Sequence, residues 1–265
     1  MTWTVERLGT VGSTNDEAMA RARGGAPHGT AVVAEAQSRG RGRQGRGWQS
    51  LPGENIYLSV VLRLELPPHA TPPVTLAAGV ATCDTVNQFA AGASIKWPND
   101  VLLSGLKVAG ILTEASTRGD RVEAVILGVG LNVNAPELPA GLAATSLRLA
   151  VGRALDREEV LSRLLAELER WTDALVAGGA APVVAAWRAR SSTFGRRVAQ
   201  PRGIAVDIDE TGALVVETGE GRLHVHSASW PANEGEESAT LEQGAAERPG
   251  APSRSEQAKD EEDPS

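Results

Sequence analysis

Arginines are concentrated in one glycine-rich segment, residues 37–48, which has the clearest chemical meaning in the sequence. The segment reads QSRGRGRQGRGW, and the arginines in and after it are Arg39, Arg41, Arg43, Arg46 and, further on, Arg63. Guanidinium groups stay charged at physiological pH and bind phosphate or carboxylate through two parallel hydrogen bonds. The intervening glycines let the backbone approach a ligand closely. The segment therefore predicts an anion clamp, which we expect to become ordered only when an anion bridges its arginines.

Two other interpretations of this segment have to be weighed. Gly40, Gly42 and Gly45 form a literal G-x-G-x-x-G, as in dinucleotide-binding folds. That fingerprint needs a helix to begin at once, and the following residues, WQSLPG, do not start one, so we reject it. An RGG-type nucleic-acid-binding module is the second alternative. Such segments usually lie in long disordered tracts, whereas this one lies between two predicted strands. The anion clamp is favoured and the RGG module stays open.

Three further polar segments carry groups that could serve the same ligand. They are KWPND at 96–100, KVAGILTE at 107–114 and GVGLNVN at 128–134. Each alone is typical of a turn or a strand end. Together with the clamp they suit a ligand that has a carboxylate, a phosphate and a purine, because such a ligand needs cations, an aromatic face and amides. All of these groups lie in loops or at strand ends, where binding sites usually occur. The residues that offer these groups are Arg41, Arg43, Arg46, Lys107, Trp48, Asn99 and Asn132.

A mixture of strands and helices has to position these groups. β-rich runs predict strands at 3–8, 30–37, 55–64, 94–97, 106–116 and 121–133. Helices are predicted at 16–23, 71–91, 156–176 and 182–190, with Thr14 and Glu17 as a capping box and Asp156 as an N-cap. Short strands with turns follow from 194 to 230 and predict a small β-barrel. The fold class is therefore α+β.

Charge is distributed unevenly along the 265 residues. Residues 231–265 hold ten acidic and three basic side chains, whereas the rest of the chain holds 23 of each sign. The last segment is poor in large apolar residues and is predicted to be a disordered acidic tail. We therefore divide the chain into a main domain at 1–190, a small β domain at 191–230 and the tail. A body of balanced charge does not favour DNA binding.

Cysteine content and hydropathy exclude several classes of protein. Cys83 is the only cysteine, so the chain has neither an internal disulfide nor a cysteine metal cluster, and a buried position in a helix is expected for it. No apolar run reaches the roughly 18 residues of a membrane span, and the N-terminus lacks the apolar region of a secretion signal. We expect a soluble cytoplasmic protein.

The order and spacing of five segments resemble those of the biotin–protein ligases. The matching segments are STN at 13–15, Q37 with GRGRQGRGW at 40–48, KWPND at 96–100, KVAGIL at 107–112 and GVGLN at 128–132. The resemblance implies a mixed β-sheet with flanking helices, like the class II synthetases, and a small SH3-like barrel. It implies formation of biotinyl-5'-AMP from biotin and ATP, with Mg²⁺, followed by transfer of biotin to a lysine of a carrier protein. Because the chain begins at the catalytic domain, we expect a ligase without a DNA-binding repressor domain.

The resemblance also implies roles for individual residues. Biotin would be bound by Ser13, Thr14, Asn15, Gln37, Gly40, Arg41, Gly42, Arg43, Lys107, Gly110, Ile111 and Gly128. ATP would be bound by Arg46, Trp48, Asn99, Lys107 and Asn132, with Trp48 near the adenine. Lys107 and Arg43 would serve the activation step, and Asp100 is a candidate proton acceptor for the transfer step. No protein cluster is expected to hold the metal, which would accompany ATP.

Partners and alternatives follow from the same comparison. The implied partner is the biotin carboxyl carrier domain of acetyl-CoA carboxylase, and a homodimer is possible, with no DNA and no membrane. A lipoate or octanoate ligase of the same fold is the alternative enzyme. One departure concerns the small barrel: the segment before residue 207 is short, and the Gly-Glu of the family is absent from 225–229, VHSAS. The resemblance therefore does not extend to contacts of the barrel with ATP or carrier.

Overall fold

Strands and helices alternate in the chain much as the sequence predicts. The structure is a computed structural model, and it describes residues 2–64, 71–118, 121–139 and 141–230. The strands of the main domain are β1 Thr4–Val11, β2 Thr30–Gln37, β3 Ile56–Leu62, β4 Ala93–Lys96, β5 Asp100–Leu103, β6 Leu106–Arg118 and β7 Arg121–Leu131. The helices are α1 Thr14–Arg23, α2 Thr71–Phe89, α3 Leu147–Val151, α4 Arg157–Gly178 and α5 Ala180–Arg190. The predicted disorder of 231–265 concerns residues outside the described part.

The seven strands form one mixed sheet in the order β1-β2-β3-β7-β6-β5-β4. β1 runs parallel to β2, and every other neighbouring pair is antiparallel. All seven residues of the inner strand β3, IYLSVVL, are buried. Such a continuous apolar run is typical of a strand that is covered on both faces. The predicted mixed sheet with flanking helices is confirmed.

Helices cover both faces of this sheet. On one face, Ala18 and Ala22 of α1 pack against Val61 and Ile126. On the other, α2, α4 and α5 contribute to the main core, in which Trp187 is fully buried. Cys83 lies in α2 at 0% exposure, as expected for a small apolar residue, and burial raises the pKa of its thiol to about 12. None of the described helices is both long and apolar enough to cross a membrane.

A second, four-stranded sheet follows α5. Its strands are β8 Arg197–Val198, β9 Gly203–Ile208, β10 Leu214–Thr218 and β11 Gly221–Val225, in the order β11-β10-β9-β8. This small sheet is consistent with the SH3-like unit that the sequence predicts. It contacts the main sheet at Trp97, whose indole Nε1–H donates to the carbonyl of Gly212 at 3.1 Å and whose backbone N–H donates to Thr193 Oγ1 at 2.8 Å. The KWPND turn is therefore held from the side of the small sheet.

Two parts of the sequence interpretation were wrong or incomplete. β5 and α3 were not predicted, because each is at most five residues long and neither shows a full period of its element. Arg63 does not belong with the arginines of the glycine-rich segment. Its guanidinium donates to the carbonyls of Ala22, Ala26 and Glu123 at 2.7–3.0 Å. Arg63 thus satisfies carbonyls at the end of α1, where a cation also suits the helix dipole.

Candidate active site

The predicted site residues meet along one face of β7 and its neighbours. Gly128 and Gly130 alternate on β7 and so lie on the same face. A Cβ at Gly128 would overlap Asn15 Oδ1, and a Cβ at Gly130 would lie 2.5 Å from Cε2 of Trp48. The two glycines therefore make room for a polar side chain at one end and an indole ring at the other.

A buried polar cluster occupies the Asn15 end, at the start of α1. Ser13, Thr14 and Asn15 are all at most 4% exposed. The backbone N–H and the hydroxyl of Thr14 donate to Gln37 Oε1 at 2.8 and 3.1 Å. Ser59 Oγ lies 2.8 Å from Thr14 Oγ1 and 2.6 Å from Asn15 Oδ1. The structure thus brings Thr14, Asn15 and Gln37, three of the polar residues predicted for biotin, into one hydrogen-bonded cluster that directly follows Ser13.

The predicted capping box of α1 is wrong, and the polar cluster explains why. The N-cap is Ser13 and makes no side-chain capping bond. Thr14 directs its hydroxyl to Gln37 rather than to the helix backbone. Glu17 pairs instead with Arg21, one turn along the helix, at 2.9 Å. The hydroxyl that could have capped the helix is used to build the pocket.

The glycine-rich segment forms a hairpin-like loop. Arg41 and Gly47 form a β-bridge, and the N–H of Gly42 donates to the carbonyl of Arg46 at 2.7 Å. The N–H of Trp48 donates to the carbonyl of Gly40 at 2.9 Å. Residues Arg43–Gly45 form a single 3₁₀ turn. The Rossmann interpretation, which requires a full helix here, is correctly rejected.

The arginines of the loop differ in their surroundings. Arg41 lies 2.7 Å from Asp16 Oδ1 and 3.3 Å from Glu114 Oε2. The guanidinium of Arg43 is half-buried, and this burial lowers its pKa although Asp100 opposes the shift. Arg46 is exposed. Arg41 is therefore held by carboxylates, whereas Arg43 interacts electrostatically with Asp100, another predicted catalytic residue.

Trp48 covers the other end of this sheet face, beside Gly130. Its indole lies over Gly110 and Gly130, which are paired across β6 and β7. Lys107 Nζ is 5.5 Å from the centroid of the ring. Within the described part of the chain, Trp48 Nε1 is the one buried side-chain nitrogen or oxygen without a hydrogen-bond partner. A buried donor of this kind is costly unless a ligand or water satisfies it.

Lys107 and Asp100 form an ion pair beside the indole. Lys107 Nζ lies 2.6 Å from Asp100 Oδ1, and the two side chains are 33% and 19% exposed. Asp100 begins β5 and is paired with Gly110 of β6. The predicted catalytic lysine, the candidate proton acceptor and Trp48 are thus within reach of one bound molecule.

Three other predicted residues contact the protein backbone. Asn99 Nδ2 donates to the carbonyl of Ile111 at 2.7 Å, and Asn132 Nδ2 donates to that of Thr145 at 3.0 Å. Ile111, which was predicted to contact biotin, points its side chain into the main core instead, so only its backbone faces the site. These contacts fix the loops at the edge of the site, and each asparagine keeps its amide oxygen for another partner.

Glu114 and Asp16 belong to this site but were not predicted. Glu114 Oε2 accepts from Asn15 Nδ2 at 2.6 Å, and both carboxylates contact Arg41. Glu114 could have been predicted from the alternation of side chains along β6, which places residues 110, 112 and 114 on one face of the sheet. For Asp16 it was its position directly after the predicted STN segment.

Comparison with known proteins identifies the family. The Biotin/lipoate A/B protein ligase family matches residues 12–132, and the biotin protein ligase C terminal domain matches residues 193–229. The biotin–[acetyl-CoA-carboxylase] ligase of Mycobacterium tuberculosis is 43% identical over 236 residues, which cover 82% of this chain and 84% of that protein. The chain belongs to the biotin–protein ligases. The first match contains every site residue that the sequence predicts for this ligase.

Other members resemble this biotin–protein ligase over most of their length. The biotin–[acetyl-CoA-carboxylase] ligase of Paracoccus denitrificans is 38% identical over 236 residues, 83% of this chain and 97% of that protein. The biotin protein ligase of Aquifex aeolicus, solved in complex with biotin and ATP, superposes with a TM-score of 0.73 at 28% identity. The superposition covers 85% of this chain and 97% of that one.

Proposed function

We propose that the chain activates biotin with ATP and joins it to one lysine of the biotin carboxyl carrier domain of acetyl-CoA carboxylase. One observation carries the proposal. A buried polar pocket around Asn15 and a cationic end around Lys107 lie on the same face of the sheet, beside Gly128 and Gly130. A ligand with a polar head and an anionic tail fits this arrangement, and biotin is such a molecule.

The two ends of the face suit the two ends of biotin. Ser13, Thr14, Asn15 and Gln37 provide donors and acceptors for the ureido ring. Gly40, Arg41, Gly42, Gly110, Gly128 and the backbone of Ile111 line the way toward Lys107 in this proposal. The valeryl carboxylate then reaches Arg43 and Lys107.

ATP binds over the Trp48 end. The indole offers a face to the adenine and its unpartnered Nε1–H offers a donor. Asn99 and Asn132 can contribute their amide oxygens, and Arg46 its guanidinium to the phosphates. Among the described residues no group of three His, Cys, Asp or Glu side chains could hold a metal ion. A magnesium ion would instead accompany ATP and would neutralise phosphate charge.

Activation requires two anions to meet. A carboxylate oxygen of biotin attacks the α-phosphorus, the bond from that phosphorus to the bridging oxygen breaks, and pyrophosphate leaves. The carboxylate is already a nucleophile, so this step needs no general base. Lys107 and Arg43 stabilise the added charge, and they act strongly because the site is partly shielded from water.

Transfer needs a proton acceptor. The carrier lysine attacks the carbonyl carbon of biotinyl-5'-AMP, its proton moves to a base, and AMP leaves. We assign this role to Asp100, whose carboxylate lies beside the proposed activating cation Lys107. We further propose a catalytic domain at 1–190, a small C-terminal domain at 191–230 and a cytoplasmic reaction, because ATP is a substrate. A homodimer is a possible assembly.

Transfer of labelled biotin to the purified carrier domain tests this function. The expected product is one biotin on one lysine, in a reaction that requires ATP, and a carrier with that lysine replaced by arginine is the control. Equal transfer of lipoate or octanoate would favour the other ligase activity of this fold. Absence of ATP-dependent transfer, together with salt-sensitive RNA binding, would favour the RGG module.

A further inference from the structure

The orientation of the Asn15 side-chain amide is set mainly by Glu114, a residue outside the predicted site. Asn15 is 4% exposed, so its hydrogen bonds are made within the protein. Its Nδ2 lies 2.6 Å from Glu114 Oε2 and, in a longer contact, 3.4 Å from the carbonyl oxygen of Leu112, and its Oδ1 lies 2.6 Å from Ser59 Oγ. An amide presents a donor at one end and an acceptor at the other, so the two orientations offer opposite polarity to a ligand.

Ser59 cannot choose between these orientations. A hydroxyl both donates and accepts, so it can face either end of the amide. An ionised carboxylate only accepts, so Glu114 requires the NH₂ group of Asn15 to face it. Arg41, which lies 3.3 and 3.4 Å from the two oxygens of Glu114, holds the carboxylate from the side of the loop.

We infer that Glu114 is a positioning residue that fixes the Asn15 amide in one orientation and thereby sets the hydrogen-bond polarity of the biotin pocket. The inference rests on the proposed function and adds to it a residue that determines recognition of the ureido ring. Selectivity for biotin then depends on Glu114, a side chain that contacts Asn15 and Arg41. Glu114→Gln weakens this control, because a carboxamide can face either end of the Asn15 amide and only the longer contact with the Leu112 carbonyl then favours one orientation.

Steady-state kinetics of biotin-dependent ATP–pyrophosphate exchange test the inference. In Glu114→Gln the KM for biotin should rise by about tenfold or more, on the scale of a hydrogen bond to a charged group. The kcat and the KM for ATP should stay within about twofold, since Lys107 and Trp48 are untouched. General loosening of the fold would instead change all three values. The thermal unfolding midpoint is measured alongside.

Two matched variants separate the possible causes. Glu35→Gln makes the same change in another arginine–glutamate pair, with Arg157 at 2.9 Å, and should leave all three values at those of the wild type. Asp16→Asn weakens the hold on Arg41 and leaves the contact between Asn15 and Glu114. It should raise the KM for biotin less than Glu114→Gln does. An equal rise would mean that the effect passes through Arg41, and it would overturn the inference.

A double variant covers the case in which Glu114→Gln does not fold. Glu114→Gln with Asn15→Asp exchanges the carboxylate and the amide, so the hydrogen bond between the two positions is kept while the pocket loses its donor. This variant should fold and still bind biotin weakly. Wild-type biotin affinity in it, or a wild-type KM in Glu114→Gln, would overturn the inference. Absence of biotin-dependent exchange in the wild-type protein would instead contradict the proposed function itself.

Discussion

Lys107 Nζ lies 2.6 Å from Asp100 Oδ1, so the cation proposed for activation and the base proposed for transfer are held by each other. The pair is established by two adjacent strands, because Asp100 begins β5 and Lys107 lies near the start of β6. An incoming carboxylate or phosphate would compete with Asp100 for the lysine. The same contact can therefore keep the lysine in place before binding and free the carboxylate afterwards.

Lys107→Ala should nearly abolish adenylate formation. We expect a loss of at least about a hundredfold in exchange rate, the scale of one lost transition-state contact to charge. Lys107→Arg is the matched control, because it keeps a cation at the position, and it should retain more activity than Lys107→Ala. Near-normal exchange in Lys107→Ala would remove this lysine from the active site.

Asp100→Asn should separate the two steps. The amide cannot accept the proton of the carrier lysine, so transfer should slow by about a hundredfold or more, within the usual range of general-base catalysis. Exchange of pyrophosphate, which needs no base, should fall far less. Rapid-quench measurement of adenylate and of biotinylated carrier gives both rates. Equal losses in both steps would show that Asp100 acts only by holding Lys107.

Arg43→Gly should release the reactive intermediate. Arg43 is half-buried and interacts electrostatically with Asp100, where it can hold the loop over biotinyl-5'-AMP. Loss of a charge contact worth about 1.5–3 kcal/mol weakens that hold by roughly ten- to a hundredfold. An unrelated lysine-rich protein, incubated with the variant, biotin and ATP, should then become biotinylated. Labelling at the level of the wild type, while adenylate is still made, would assign this role to another part of the loop.

Gly130→Ala should disturb the nucleotide end of the site. The new Cβ would lie 2.5 Å from Cε2 of Trp48 and would displace the indole. We expect the KM for ATP to rise by about tenfold or more, comparable to losing a stacked aromatic contact with a base. Gly9→Ala is the control, because nothing lies within 4 Å of a Cβ there. An unchanged KM for ATP in Gly130→Ala would mean that Trp48 does not bind the nucleotide.

The sequence could predict a site residue where the type and spacing of that residue alone indicate a chemical role. Lys107, Trp48 and the loop arginines are unusual in the sequence, and the structure brings Lys107 close to Trp48 and Asp100. Glu114 and Asp16 are ordinary acidic residues in the sequence. Their importance arises from contact with Asn15 and Arg41, which only the folded sheet brings about. The same holds for Arg63, whose role is set by the carbonyls around it.

His28 should make stability sensitive to acid. Its Nδ1 accepts the backbone N–H of Arg63 at 3.0 Å, so the ring is neutral in the folded chain. Burial lowers its pKa below the ordinary value of 6.5, although Asp173 opposes the shift. The unfolded chain therefore binds more protons as the pH falls below 6.5, and the free energy of unfolding should decrease there and not above it. His28→Asn keeps an acceptor without this titration, and urea unfolding of both proteins at several pH values should show a smaller decrease in the variant.

Biotin-dependent ATP–pyrophosphate exchange by the purified wild-type protein is the most direct test of the central claim. Labelled pyrophosphate should enter ATP only when biotin is present, and this exchange should be lost in Lys107→Ala. No exchange above background with biotin, or an equal rate with lipoate in its place, would contradict the account.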